Sequence, residues 1–128
     1  MIGSNAFNYI NVLDKAADAS WKRNEVIANN IANVDTPGYK RKDVQFESYL
    51  QSALAGEGSL DSKVANVNLD TLNATVYTDN SSTSYRLDGN NVDIDTESSY
   101  LADNQIRYDA LLDSMTQEFN RIKAVLTR

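Results

Sequence analysis

The chain contains neither cysteine nor histidine, and Pro37 is its single proline. Without cysteine it cannot form a disulfide bridge, a thiolate zinc site or a cysteine nucleophile. Without histidine it also lacks the commonest metal ligand and the usual general base near neutral pH, so Ser-His and Cys-His catalytic arrangements are excluded. We therefore expect no enzymatic activity and no cofactor.

Positive charge and long apolar runs are also scarce. The formal net charge is −6, and the only basic cluster, Lys40 to Lys42, is short enough to suggest a solvated turn and no nucleic-acid partner. No stretch reaches the roughly 18 apolar residues of a membrane span, so we expect no membrane insertion. The first residues lack the layout of a cleavable signal, which predicts another route if the chain leaves the cytoplasm.

The first 39 residues have the pattern of one long amphipathic helix followed by a turn. Steps of three and four residues connect a heptad seam with two polar members: Ile10, Leu13, Ala17, Ser20, Asn24, Ile27, Ile31 and Val34. Neither glycine nor proline interrupts the run between Gly3 and Pro37, which predicts a helix of about 30 residues. Pro37 and Gly38 end it, because the residue before a proline disfavours the helical conformation.

The C-terminal residues repeat this pattern with a broader apolar stripe, made of Leu101, Gln105, Tyr108, Leu112, Met115, Phe119, Ile122 and Leu126. Acidic residues lie at the start of this predicted helix and basic residues at its end, as the helix dipole favours, with Asp93 or Asp95 as the N-cap. We expect this stripe to be the packing core and the more polar N-terminal seam to be the joint between subunits.

The segment between the helices is polar. Of the 37 residues from 55 to 91, 22 are Gly, Ser, Asp, Asn or Thr, so it can bury little apolar surface. Before it, residues 44–54 predict a short extended piece and then one or two helical turns ended by Gly56. Residues 64–69 and 75–78 alternate like strands, and we expect at most a small β-hairpin there.

These elements predict a mainly α fold in which two long terminal helices pack as a helical hairpin or coiled coil around an irregular polar middle segment. We divide the one structural unit into residues 1–39, 40–91 and 92–128. Two packings stay open: residues 46–54 fold back as a third helix in a closed monomeric bundle, or neighbouring subunits cover the stripes. We expect one set of apolar residues on the first helix to pack on a second set on the last helix: Ile10, Leu13, Ile27 and Ile31 on Leu112, Met115, Phe119 and Ile122.

Two motifs flank the middle segment. The first, the predicted assembly motif, comprises Asn30, Ile31, Ala32, Asn33, Asp35, Thr36, Pro37, Gly38 and Tyr39. The second comprises Asp88, Gly89, Asn90, Asn91, Val92 and Asp93, continued on the helix by Asn104 and Tyr108. A helix C-terminus and a Pro-Gly turn explain the geometry of the first motif. They leave unexplained its repeated asparagines, which destabilise a helix relative to alanine, and we expect these amides to bond to another chain.

Together the two motifs resemble the signatures of bacterial flagellar rod and hook proteins, the axial proteins of the flagellum, and the short chain resembles the proximal rod members. The resemblance implies a structural subunit of the basal body in the cell envelope, exported through the flagellar type III channel. It implies terminal helices in the inner layer of the rod and a middle segment facing outward. We expect residues 30–39 to lie at an intersubunit contact. It further implies partners among other copies, other rod subunits and proteins of the membrane-embedded base and export apparatus.

Alternative functions remain compatible with the residues. A helical hairpin can serve as a binding module, such as an export adaptor or chaperone, and an envelope-glycan enzyme is a distant third. Residues 88–95 alternate oxygen side chains as a calcium loop does, but Val92, Asp93 and Ser99 occupy positions where an EF-hand loop needs an oxygen ligand, a glycine and a glutamate. We expect a turn that leads into an acidic helix start, and no metal site.

Overall fold

A computed structural model describes residues 2–80 and 86–127, and within residues 2–4 only the backbone. The elements in chain order are α1 (Ile2–Ala32), β1 (Lys42–Gln45), α2 (Glu47–Ala53), α3 (Leu60–Ala65), a 3₁₀ turn (Leu69–Thr71), β2 (Thr75–Thr78) and α4 (Ile94–Leu126). The predicted fold class is confirmed, because α1 and α4 are both long, occupy the predicted ends of the chain and pack together.

The two terminal helices run antiparallel. Asn30 near the end of α1 donates to the carboxylate of Glu97 at the start of α4, with 3.1 Å between Nδ2 and Oε2. Two turns further along α4, Asn104 Nδ2 donates to the Ser20 carbonyl oxygen at 2.7 Å. The rings of Trp21 and Tyr108 follow with their centroids 5.8 Å apart. The end of α1 therefore meets the start of α4, which is the geometry of the predicted hairpin.

Asp93 caps the start of α4. Its side chain accepts hydrogen bonds from the backbone N–H groups of Asp95 and Thr96, at 3.0 and 3.2 Å. These bonds satisfy two of the four N–H groups that a helix N-terminus leaves without an intrahelical partner. Asp95 and Glu97 then occupy the first turn and Lys123 the last, so the charges complement the helix dipole.

The middle segment differs from its predicted form. The alternation over residues 64–69 does not form a strand: this stretch lies across the end of α3 and the 3₁₀ turn. Ser59 begins α3 by accepting a hydrogen bond from the Ser62 N–H at 3.2 Å, and this cap outweighs the short alternating pattern. The strand over residues 75–78 is confirmed, but its antiparallel partner is β1, in the register Lys42↔Thr78 to Gln45↔Thr75.

The buried core lies between α1 and the middle segment. Its central cluster consists of Ala19, Val26, Val44, Phe46 and Leu72. In α4, which the structure describes throughout, the only buried residues are polar: Glu97 and Asn104. The expectation that α4 carries the packing core is therefore wrong for the single chain, because the middle segment folds onto α1 and covers that helix instead. The buried face of α4 also differs from the predicted stripe at one position, because Asn104 is buried and the predicted member, Gln105, is exposed.

An ion pair holds α2 against α1. Arg23 donates to both carboxylate oxygens of Glu47, at 2.5 and 2.7 Å. These hydrogen bonds lower the pKa of Glu47 below its ordinary value, against a smaller opposing effect of burial. A lowered carboxyl pKa stabilises the fold above the ordinary value, about 4.3 for Glu, and the contribution is lost as the pH falls through the folded-state pKa.

We expect the substitution Glu47→Gln to lower the free energy of unfolding by about 0.5 kcal/mol at pH 7, a small effect because solvent screens the half-exposed Glu47 carboxylate. The difference from the wild-type chain should be smaller at pH 3 than at pH 7, because the contribution of the carboxylate is lost as the pH falls through its lowered folded-state pKa. Urea titrations of the two chains at both pH values measure it. Glu57→Gln, at an exposed position, is the matched control. A constant difference between the two pH values would contradict the assignment.

Candidate assembly site

A buried ion pair joins β1 to α4. Glu97 has no exposed surface and Arg41 only 7%. Arg41 Nε donates to Glu97 Oε1 at 2.5 Å, and its Nη1 donates to Asp79 Oδ2 at 2.7 Å. Burial opposes the charge of Arg41, but the hydrogen bonds to these carboxylates prevail and raise its pKa. The solvated turn predicted for the basic cluster is therefore wrong at Arg41, the one member that lies buried.

Asn30 connects α1 to the same pair. Its side chain forms two bonds with the backbone of Lys42, donating to the carbonyl oxygen at 2.8 Å and accepting from the N–H at 2.9 Å. The same Nδ2 reaches Glu97, as described above. Asn30 is fully buried. Its amide therefore serves the interior of this chain, and the expectation that it bonds to another chain is wrong.

Asn90 closes the C-terminal end of α1. Its Nδ2 donates to the carbonyl oxygens of Asn33, Val34 and Thr36, at 2.9, 3.1 and 2.8 Å. Its Oδ1 accepts from the Val92 N–H at 2.8 Å. A helix end leaves carbonyl groups without intrahelical partners, and here a side chain from the second motif supplies the donor. Asn90 is 1% exposed, so these bonds are shielded from bulk water.

Asn91 continues the connection from the second motif to β1. Its backbone N–H donates to the Tyr39 carbonyl oxygen at 3.2 Å, and its Oδ1 accepts from the Arg41 N–H at 2.6 Å. Its Nδ2 donates to the Asp79 carbonyl oxygen at 2.8 Å. We call Asn30, Arg41, Asn90, Asn91 and Glu97 the polar clasp. It joins both sequence motifs to the start of α4.

Two glycines allow the motifs to approach each other. Gly38 and Gly89 have φ angles of 74° and 80°, in the left-handed region that a side chain disfavours. A Cβ added at Gly89 would lie 3.9 Å from the Gly38 Cα, so the two turns lie against each other. The Lys40 ammonium donates to the Gly89 carbonyl oxygen across this contact. The glycine in each motif is thus explained by backbone conformation.

The structure brings the two predicted motifs together but divides their members by exposure. Asn30, Asn90, Val92 and Asn104 are buried, and Tyr108 is half-buried against Trp21. By contrast, the turn of the first motif lies at the surface: Ala32, Asp35, Thr36, Pro37 and Gly38 are exposed, and Ile31, Asn33 and Tyr39 are half-buried. In the second motif, Asp93 is exposed and Asp88, Gly89 and Asn91 are half-buried.

Sequence reasoning missed the charged members of the clasp, Arg41 and Glu97, and their neighbour Asp79. One signal was available. Glu97 stands four residues before Leu101 and therefore continues the apolar stripe of α4 by one step. A carboxylate on a face that packs against another helix needs a buried cation, and Arg41 in the basic cluster is a candidate for it.

We expect Asn90→Ala to lower the free energy of unfolding by about 2 kcal/mol, because it leaves buried carbonyl groups and the Val92 N–H without the partners that Asn90 provides. Asn29→Ala is the matched control: Asn29 is exposed on the last turn of α1, where alanine favours the helix. Chemical denaturation of both variants measures the difference. If the Asn90→Ala and Asn29→Ala variants were equally stable, the hydrogen bonds of the Asn90 side chain would not be needed to hold the end of α1.

Part of the apolar stripe of α4, which we call the uncovered stripe, stays exposed in the chain. Leu112 is 40% exposed, Phe119 52% and Leu126 78%. Between α1 and α4 lies an open groove of about 340 Å³, which we call the interhelical groove, lined by Asp14, Ala17, Asp18, Trp21, Tyr108, Leu112 and Met115. Apolar surface of this kind marks interaction sites in proteins.

Because α1 and α4 run antiparallel, the residues predicted to pack together lie at different heights along the hairpin. Ile10 and Ile27 are buried and Leu13 and Ile31 half-buried, while Met115 and Ile122 are half-buried on α4. Ile27 shares a pocket with Tyr100 and Asn104, near the start of α4, and therefore lies far from Leu112. For Ile10 and Leu13 the contact with the later turns of α4 stays a prediction.

Within residues 2–80 and 86–127 no three carboxylate side chains form a cluster that could hold a metal ion. Over the same residues, no helix has both the length and the hydropathy that crossing a membrane requires.

Comparison with known proteins identifies relatives over most of the chain. The family model described as flagella basal body rod protein matches residues 10–40. The flagellar basal body rod protein FlgB of Bacillus subtilis (strain 168) is 40% identical over 116 residues, which cover 90% of both chains. The protein of that name from Escherichia coli (strain K12) is 34% identical over 121 residues, 88% of both chains. The one from Borreliella burgdorferi is 34% identical over 114 residues, covering 81% of this chain and 84% of the relative.

A helical hairpin closed by a polar clasp, with an uncovered apolar stripe, is typical of a structural protein that assembles through its helices. These sequence identities and coverages show that the chain belongs to the family of flagellar basal body rod proteins FlgB. It is a structural subunit of the flagellar basal body, and it assembles with other components of the rod. The resemblance stated from the two motifs is confirmed.

Proposed function

We propose that the chain builds the proximal part of the rod by joining copies of itself and other rod subunits through the uncovered stripe of α4. The observation that carries this proposal is the exposure of Leu112, Phe119 and Leu126 on a helix that already packs against α1. Burial of such side chains contributes about 25 cal/mol per Å² of apolar surface, which is available only if a neighbour supplies the other face.

Both packings left open by the sequence contribute to this proposal. The middle segment folds back and covers α1, with Phe46 in the core, as in the closed alternative. Leu112, Phe119 and Leu126 on α4 nevertheless stay exposed, as the open alternative requires. The subunit then has a folded side, α1 with the middle segment, and an assembling side along α4. In the rod we expect the middle segment to face outward.

The exposed turn of the first motif is the second proposed contact. Asp35, Thr36 and Pro37 lie at the surface, while Asn90 holds the backbone on both sides of Asp35. The clasp therefore presents these residues in one conformation, which lowers the entropy lost when a neighbour binds them. We further propose that the chain reaches this place through the flagellar type III channel, and that its neighbours include proteins of the membrane-embedded base.

Purified basal bodies test this function. A short epitope inserted in the exposed turn after α2, at residues 56–58, should leave the hairpin intact and appear on the rod by electron microscopy. Light scattering should show large assemblies of the purified chain at high concentration, or mixed assemblies when other rod subunits are added. Absence of the epitope from basal bodies, together with a defined one-to-one complex with one partner, would instead support an adaptor. Turnover of peptidoglycan by the purified chain, in an assay in which a known enzyme serves as the positive control, would support an enzymatic function.

A further inference from the structure

The interhelical groove is lined by apolar and acidic side chains. The apolar ones are Ala17, Trp21, Tyr108, Leu112 and Met115, and the acidic ones are Asp14 and Asp18. Both aspartates are exposed, and Trp21 is 55% exposed. None of the described residues that line the groove is basic. A segment that fits it should therefore carry large apolar side chains beside a cation.

The last two turns of α4 have this composition. Phe119, Lys123 and Leu126 follow one another at steps of four and three residues, so they share one face of the helix. Phe119 and Leu126 are more than half exposed. Arg121 is paired with Glu118 at 3.0 Å, which leaves Lys123 as the cation of this face. Residues 119–126, the α4 tip, contain no carboxylate side chain.

We propose that the α4 tip of one copy docks in the interhelical groove of the next copy. The inference rests on the proposed self-assembly and names its contact. A tip cannot enter the groove of its own chain, since Leu126 lies eleven residues beyond Met115 on one straight helix, about 16 Å away. The contact therefore joins two different surfaces of neighbouring copies. Repetition of such a head-to-tail contact generates an open helical polymer.

Each part of the contact has a physical role. Phe119 and Leu126 lose their water contact against Trp21 and Leu112, which supplies the attraction. Lys123 then lies beside Asp14 and Asp18, which favours the tip over a segment with acidic residues and fixes its direction in the groove. Because these charges are exposed, the association should weaken as the salt concentration rises.

Cysteine cross-linking tests the contact, and the cysteine-free chain provides a clean background. One full-length chain carries Leu126→Cys in the tip and a second carries Met115→Cys in the groove. On mild oxidation of the mixture, the disulfide between the two chains should form about tenfold faster than with a control partner, because docking raises the effective concentration of the thiols. The control partner carries Ser52→Cys, an exposed position on α2 outside the groove.

Equal rates with the groove and control partners, or no disulfide at any concentration, would overturn the contact. Cross-linking of Met115→Cys only to a different protein in isolated basal bodies would overturn it too, and would name another occupant. In each case the proposed function stands if the chain is still present in the rod. Absence of the chain from basal bodies would instead contradict the proposed function itself.

A charge exchange tests the polar part separately. Asp18→Lys and Lys123→Asp should each weaken self-association about fivefold, and the two changes in one chain should restore it, because the opposite charges then meet again. Glu57→Lys makes the same charge change at an exposed site outside the groove and should leave association unchanged. If the double variant is no better than the two single variants predict together, Lys123 does not face Asp18.

Discussion

Replacing Glu97 with glutamine is expected to lower the free energy of unfolding by about 3 kcal/mol, because it leaves the buried Arg41 guanidinium without its main counter-charge. Glutamine has nearly the shape of glutamate, so the loss reports the charge and not the packing. In a chain of this size the melting temperature should fall by about 10 °C. Calorimetry and urea titration of the purified variant measure both quantities.

The comparison needs an exposed pair of the same chemistry. Lys22 and Glu25 lie 3.8 Å apart with both side chains about half exposed, and Glu25→Gln should change stability by less than about 0.5 kcal/mol. Replacing both Arg41 and Glu97 by apolar residues should recover part of the loss, since the uncompensated charge is then gone. A loss under about 1 kcal/mol for Glu97→Gln would show that Asp79 and Asp43 together satisfy Arg41.

Leu112→Asp is expected to abolish rod assembly while the chain is still made and still folds. Leu112 lies in the uncovered stripe and lines the interhelical groove, and its side chain is already 40% exposed. An aspartate there remains in contact with water in the free chain, so the fold should lose little stability. In an assembled contact the same carboxylate is buried without a partner, which is strongly unfavourable. Motility, electron microscopy of basal bodies and circular dichroism together measure this.

Two substitutions separate the apolar character of Leu112 from the introduced charge. Leu112→Met keeps an apolar side chain of similar volume and should support normal rods. Gln117→Asp introduces an acid at an exposed position on another face of α4 and should also assemble. Rods of normal length in a Leu112→Asp strain would show that this part of α4 does not join subunits. Loss of helical signal in the free variant would show that Leu112 stabilises the hairpin itself.

The long helices could be predicted from the sequence because the signals that define them are local. Apolar positions three and four residues apart, the interruption at Pro37, and the acidic residues at the start of α4 are all interactions within one helical turn. The structure places α1 and α4 where these signals predicted. The short strand and helix after Lys42 were predicted for the same reason, since Val44 and Phe46 precede a run of helix-forming residues.

The errors lie where distant residues decide the outcome. The pattern over residues 64–69 is short, and a Ser59 cap with Val64 turned to the core favours a helical turn over a strand. The partner of β2 is β1, and 29 residues, including α2 and α3, separate the two strands, so no hairpin signal was present. For α4, periodicity identified an apolar stripe but not whether the chain itself covers it.

The amino-acid sequence by itself determined the two terminal helices, their ends, the Pro37–Gly38 turn that follows the first helix, and the absence of cysteine and histidine chemistry. Only the tertiary structure decided which helix supplies the buried core, and that Asn30 and Arg41 both bond to Glu97. Arg41 and Glu97 are 56 residues apart, and Asn30 and Glu97 67. Bonds across such separations form only after the hairpin closes, because the gain from many contacts must first offset the entropy of ordering the chain.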